Sequence, residues 1–120
     1  MIKKIATQAV YVSDQDEALQ FWTQKMGFEK RGEVDMGNGY RWLEVAPKAA
    51  ESCLVLYPKK LMEDWDKRKP SIVFLCDNVE SFYNDLKQKG VKFKGELKQM
   101  QWGKFAIFND GDGNEFVLKG

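Results

Sequence analysis

Histidine is absent from all 120 residues, so the chain has no Ser–His or Cys–His pair and no imidazole to hold a metal. Any chemistry must come from other side chains. In Tyr40-Arg41-Trp42-Leu43-Glu44-Val45-Ala46, strand alternation puts Trp42 and Glu44 on one face and Leu43 and Val45 on the other. The same parity assigns Tyr11 in Ala9-Val10-Tyr11-Val12, and Tyr57 in Leu54-Val55-Leu56-Tyr57, to the face of Trp42 and Glu44. A carboxylate desolvated among Trp42, Tyr11 and Tyr57 is suited to accept a proton or to anchor a cation or hydroxyl, while the rings stack on a flat organic molecule. Trp102 and Phe105 add two rings from the second half of the chain. The plainer alternative is that these aromatics pack on one another or on a second subunit.

Cys53 and Cys76 each sit in an apolar run, which suits buried reduced thiols better than a disulfide. Asp110, Asp112 and Asn114 have the spacing that opens a calcium loop, but Glu115 stands where that loop needs glycine and the terminal glutamate is missing. A tight turn is expected there. Nineteen Lys plus Arg nearly balance eighteen Asp plus Glu, leaving a net charge of +1 and no field to draw nucleic acid or an anionic membrane. With no apolar run as long as a membrane span or a signal-peptide core, a cytoplasmic protein with neither nucleic-acid nor membrane partners is expected.

The elements that must position these side chains repeat. The run Ala6–Val12 reads as a strand; Asp14 follows as a helix cap, Ala18, Leu19, Trp22 and Met26 form one helical face, and Gly27 is the stop. The second half has Ser71–Cys76 as strand, Asp77 or Asn78 as cap, Val79, Phe82, Tyr83 and Leu86 as the apolar face, and Gly90 as stop. Asp14 to Gly27 and Asp77 to Gly90 span the same length, and Gly32-Glu33-Val34 recurs as Gly95-Glu96-Leu97 at the same shift. Each helix precedes three strands: Phe28–Val34, Tyr40–Ala46 and Cys53–Tyr57, then Val91–Gln99, Lys104–Asn109 and Glu115–Lys119. The unit is βαβββ, twice: a first module over 1–58, a charged linker over 59–70 and a second module over 71–120, together one domain.

The tandem order, Val12-Ser13-Asp14 and Phe21-Trp22 leading to Met26-Gly27-Phe28, and the closing turn Asp110-Gly111-Asp112-Gly113-Asn114 together resemble the vicinal oxygen chelate superfamily. That superfamily includes glyoxalases, bleomycin-resistance proteins and extradiol dioxygenases. The resemblance covers essentially the whole chain, and its most specific part is the closing turn, where the family has Asp-Pro-Asp-Gly-Asn. It implies an α+β fold of two βαβββ modules related by a pseudo-twofold, their sheets forming a curved, mixed-sheet cup around the ligand. In the family's metal enzymes the ligands come from the first and last strands of each module. Those positions fall at Thr7 (Gln8 in the alternative register), Val55, Ser71 and Val117. Neutral hydroxyls and aliphatic side chains do not make a zinc, nickel or iron site, so no metal and no other cofactor is expected.

The cup-facing residues expected to touch a ligand are Tyr11, Trp42, Glu44, Tyr57, Trp102 and Phe105. The leading expectation is a metal-free, bleomycin-resistance-like protein that binds a small aromatic molecule and forms a homodimer. One alternative is a metal-independent lyase or isomerase with Glu44 as general base, the one candidate for a catalytic residue. Another is a dimerising interaction scaffold.

Overall fold

In the computed structural model, which describes residues 1–101 and 103–120, the chain divides into two compact units, Met1–Lys69 and Pro70–Gly120. The first contains β1 (Thr7–Val12), α1 (Gln15–Gln20) running into a π turn (Phe21–Lys25), β2 (Glu29–Gly37), β3 (Tyr40–Ala46) and β4 (Cys53–Pro58). Its sheet has the order β1-β4-β3-β2, with β1 parallel to β4 and the other pairs antiparallel. The second unit contains β5 (Val73–Leu75), α2 (Val79–Gln88), β6 (Lys92–Phe93), β7 (Lys98–Met100), β8 (Gly103–Asn109) and β9 (Glu115–Lys119). Its order, β5-β9-β8-β6 with β7 also on β8, repeats the first, including the parallel pairing of first and last strands. This is the expected α+β architecture of two mixed sheets. Among the described residues no helix is long and apolar enough to cross a membrane.

Local chemistry sets the helix ends. The Asp14 carboxylate accepts the Glu17 N–H at 3.0 Å, and the Asn78 side-chain carbonyl accepts the Ser81 N–H at 3.0 Å. Of the two candidate caps in the second half, Asn78 rather than Asp77 does the work. Gly27 (φ +79°) and Gly90 (φ +84°) end the helices in the left-handed conformation. The caps therefore do not repeat at the spacing of the stops: Asp14 to Gly27 is one residue longer than Asn78 to Gly90. A π turn takes one more residue per turn than an α turn, so Phe21–Lys25 absorbs the difference.

Burial follows strand parity on β8 and β9, whereas on the first sheet Tyr11, Ala46 and Val55 of the opposite parity are buried as well. Val10, Val12, Leu43, Val45 and Leu56 are at most 1% exposed, as are Ala106, Phe108, Phe116 and Leu118 in the second unit. Trp22, fully buried, packs on Phe21 and Phe28 with ring centroids 5.3 and 5.1 Å away. Three strands differ from those expected from the sequence. β2 runs on to Gly37 through two bulges, and the run Val91–Gln99 is two short strands separated by Gly95 at φ +82°. The strand expected at Ser71–Cys76 is ladder-paired only over Val73–Leu75.

On β3, Arg41 donates to Asp16 at 2.5 Å and to Glu33 at 3.1 Å, and Lys30 donates to Glu33 at 2.7 Å. The Lys30 and Arg41 hydrogen bonds hold the Glu33 carboxyl below the usual carboxylate range. A depressed folded-state value stabilises above the unfolded pKa and is lost as pH falls through the folded one. On this exposed surface the effect is small.

Candidate ligand site

The first sheet carries two side-chain rows on one face. Ladder register places Ala9 opposite Val55, Val55 opposite Glu44 and Glu44 opposite Gly32, from β1 to β2. One step along, Tyr11 is opposite Tyr57 and Trp42 is opposite Val34. The Tyr11 and Tyr57 ring centroids lie 6.0 Å apart and those of Tyr57 and Trp42 6.1 Å apart, both edge to face at interplanar angles of 86° and 81°. Exposure rises across the aromatic row from Tyr11 (9%) to Trp42 (37%) and Val34 (61%), so the β1 end is a floor and the β2 end is open.

Four of the six expected residues thus stand on one face. Phe105 lies on the other sheet, half-buried on β8 opposite Lys98 and Lys119. Trp102 lies outside the described residues. Among the described residues the Tyr11 and Tyr57 hydroxyls and the Glu44 carboxylate make no hydrogen bond or ion pair, which leaves polar tips beside the rings. Glu44 itself is half-buried.

Three contributors escaped the sequence reading. Gln15, 9% exposed, donates through Nε2 to the carbonyls of Arg41 (2.5 Å) and Leu56 (2.8 Å), and its Oε1 accepts the Arg41 N–H at 3.1 Å. It ties α1 to the backbone next to Trp42 and Tyr57. The register shift between Lys30 and Gly32 leaves Arg31 as the extra residue of a bulge and turns Gly32 and Val34 onto the face of Glu44 and Trp42. The displaced Arg31 guanidinium donates to the carbonyls of Pro47, Lys48 and Ala50 at 2.7, 2.8 and 3.0 Å, clamping the β3–β4 loop. Gln15 carried no signal because a polar residue in a first helical turn reads as solvent-facing. The bulge carried none because ladder register decides it.

The second sheet has the corresponding face. Val73, Val117 and Ile107 stand in one row, and Leu75, Lys119 and Phe105 in the next. Ile107 occupies the place that Glu44 has in the first sheet, opposite the last strand's valine, so the carboxylate has no counterpart.

The positions implied for a metal do not fit one. Thr7, Gln8 and Ser71 are exposed and neutral, Val55 is buried and aliphatic, and Val117 is aliphatic. No group of three or more Cys, Asp or Glu among the described residues is placed to hold an ion. In the closing turn Asp110 spends its carboxylate on the N–H groups of Asp112 and Asn114, both at 2.9 Å, and on Asn114 Nδ2 at 2.8 Å, the work of a turn. Cys53 and Cys76 are free thiols, half-buried rather than buried; burial pushes the Cys76 thiol up, away from the reactive thiolate.

The family model described as glyoxalase/bleomycin resistance protein/dioxygenase superfamily matches residues 4–118. The chain belongs to that superfamily. The uncharacterized protein YetH of Bacillus subtilis (strain 168) is 52% identical over 119 residues, 99% of each chain. Among solved structures, a superfamily member from Sphaerobacter thermophilus DSM 20745 is 29% identical with a TM-score of 0.88, over 98% of this chain and 97% of that one. TnmS3, an antibiotic binding protein from Streptomyces sp. CB03234, is 33% identical with a TM-score of 0.80, over 98% of this chain and 95% of that one. Within the superfamily, this chain keeps the fold, and the positions that the resemblance implies for a metal carry hydroxyl, amide and aliphatic side chains.

Proposed function

We propose that the protein binds a small, planar organic molecule without a metal, on the first sheet's face formed by Tyr11, Tyr57, Trp42 and Glu44. The observation that carries this reading is the row of edge-to-face rings flanked by a carboxylate and two hydroxyls with no partner among the described residues. The likeness to TnmS3, described as an antibiotic binding protein, supports the same class of role. A ligand burying about 300 Å² of apolar surface gains roughly 7 kcal/mol by area, against an association cost of at least about 4 kcal/mol. Apolar contact alone gives weak binding, so a tight ligand uses Glu44.

The experiment is native mass spectrometry of the protein purified from its own host, followed by titration of the retained molecule. Trp42→Ala is expected to weaken binding about tenfold, or ~1.4 kcal/mol. Glu44→Gln weakens only ligands that present a cation or a hydrogen-bond donor, and a chelator changes nothing. Unchanged affinity in a folded Trp42→Ala variant contradicts the assignment.

The uncommitted Glu44 carboxylate also favours a second reading, a metal-independent lyase or isomerase with Glu44 as base. Turnover of the retained molecule in chelator, abolished by Glu44→Gln, would select it. We further propose a homodimer, because Val73 (58% exposed) and Leu75 (82% exposed) leave apolar surface on the second sheet for another copy to cover. Sedimentation at micromolar concentration is expected to give twice the 13.9 kDa chain mass, and Leu75→Glu to return it to monomer. A wild-type monomer at high micromolar concentration overturns this.

A further inference from the structure

We propose that Gly32 and Glu44 form a receptor for a positively charged group on the aromatic ligand, with Gly32 setting where the carboxylate lies and hence the choice between cationic and anionic ligands. This rests on the first sheet's face being the ligand site and adds a specificity-determining residue to it. Gly32 sits directly across the β2–β3 ladder from Glu44, and a Cβ built on Gly32 would lie 3.1 Å from Glu44 Oε2. The carboxylate is therefore folded over the glycine, in space that any side chain would take.

Backbone conformation does not explain this glycine. Its φ lies outside the left-handed region, so that source of strain does not bar a side chain there. Gly95, which occupies the same place in the repeated Gly-Glu-Val and Gly-Glu-Leu segments, has φ +82° and lies in the bend between β6 and β7. The two glycines look equivalent in sequence, yet one lies in a bend that takes the left-handed conformation and the other leaves room for a carboxylate. A glycine inside a strand marks a bulge or a close approach, and Gly32 has both, following the bulge at Arg31 and facing the Glu44 carboxylate. Here the approaching group is a half-buried carboxylate with no partner among the described residues, next to the exposed ring of Trp42 on the same strand face. An ammonium or amidinium on a flat ligand satisfies both the charge and the ring face. A carboxylate ligand meets repulsion at the same spot. The second sheet, with Ile107 in the corresponding place, has no such preference.

The test is isothermal titration calorimetry with two probes sharing one ring system, 1-naphthylmethylammonium and 1-naphthoate, against wild type, Gly32→Ala, Gly32→Val, Glu44→Gln and Trp42→Ala. Alanine displaces only the flexible end of Glu44 and valine suits a strand, so both variants should keep the wild-type melting temperature. Should the valine variant fail to fold, the alanine variant still decides. The expected result is a preference of at least about tenfold for the ammonium in wild type. That preference should fall in Gly32→Ala and vanish in Gly32→Val and Glu44→Gln, while Trp42→Ala weakens both probes. A wild type without the preference, or one that persists undiminished in the folded Gly32 variants, overturns the proposal and leaves the ligand site standing if Trp42→Ala still weakens binding. If Trp42→Ala changes neither affinity, or neither probe binds, the site assignment fails together with the proposal.

Discussion

Phe108→Ala is expected to remove about 3–5 kcal/mol of stability, the largest single loss on the second sheet. Phe108 is fully buried, lies 5.3 Å from Phe116 at an interplanar angle of 24°, and has Phe74 and Phe93 at 6.3 and 6.4 Å. Truncation removes the ring from three aromatic contacts and leaves a cavity that a β-strand cannot close by shifting. Domains of this size are stable by only about 5–15 kcal/mol, so the variant should unfold at much lower urea concentration or fail to accumulate. Phe105 is the internal control, three residues earlier on β8 and on the opposite, half-buried face. Urea denaturation followed by circular dichroism should give Phe105→Ala less than half the loss of Phe108→Ala. Equal losses would mean that the two faces of this sheet are not a buried core face and a half-buried outer face.

Gln15→Leu should cost about 2–4 kcal/mol despite adding an apolar side chain, because it strips partners from three backbone groups at once. The Arg41 carbonyl, the Arg41 N–H and the Leu56 carbonyl all lose the amide that now satisfies them. Gln15→Glu separates the contributions. It keeps an acceptor for the Arg41 N–H but aims negative charge at two carbonyls near neutral pH, so it should be nearly as damaging there and partly relieved in acid, where the carboxyl can donate one hydrogen bond. Thermal melts of both variants at neutral and acid pH are the measurement. A Gln15→Leu protein as stable as wild type would show that α1 needs no polar tie to β3 and β4.

Local rules made much of this fold legible. β3 at Tyr40–Ala46 and β9 at Glu115–Lys119 have the ends that their alternation and flanking turns imply, and Gly27 and Gly90 stop their helices in the conformation that only glycine adopts freely. The misses share a cause, because each was decided by something other than the local sequence. The π turn at Phe21–Lys25 takes up an extra residue and so hid the true pairing of Asp14 with Asn78. The bulge at Arg31 reverses the parity of β2, which concealed Gly32 and Val34 as neighbours of Glu44 and Trp42. Parity alone brought out Tyr11, Trp42, Glu44 and Tyr57, yet it assigns a face within a sheet and says nothing about which sheet. Phe105, expected on a strand of the second module, stands on β8 of the second unit.

The central claim is that a ligand sits on the first sheet against Trp42, and the most direct measurement is the set of indole N–H signals of the four tryptophans in ¹⁵N-labelled protein, followed as 1-naphthylmethylammonium is added. Trp42 is exposed, Trp22 is fully buried in the core, and Trp65 lies under Lys59 Nζ at 4.2 Å. The Trp42 signal should move progressively to saturation while those of Trp22 and Trp65 stay in place. A Trp42 signal that stays fixed through a titration in which the probe binds, with another tryptophan moving instead, would contradict the account.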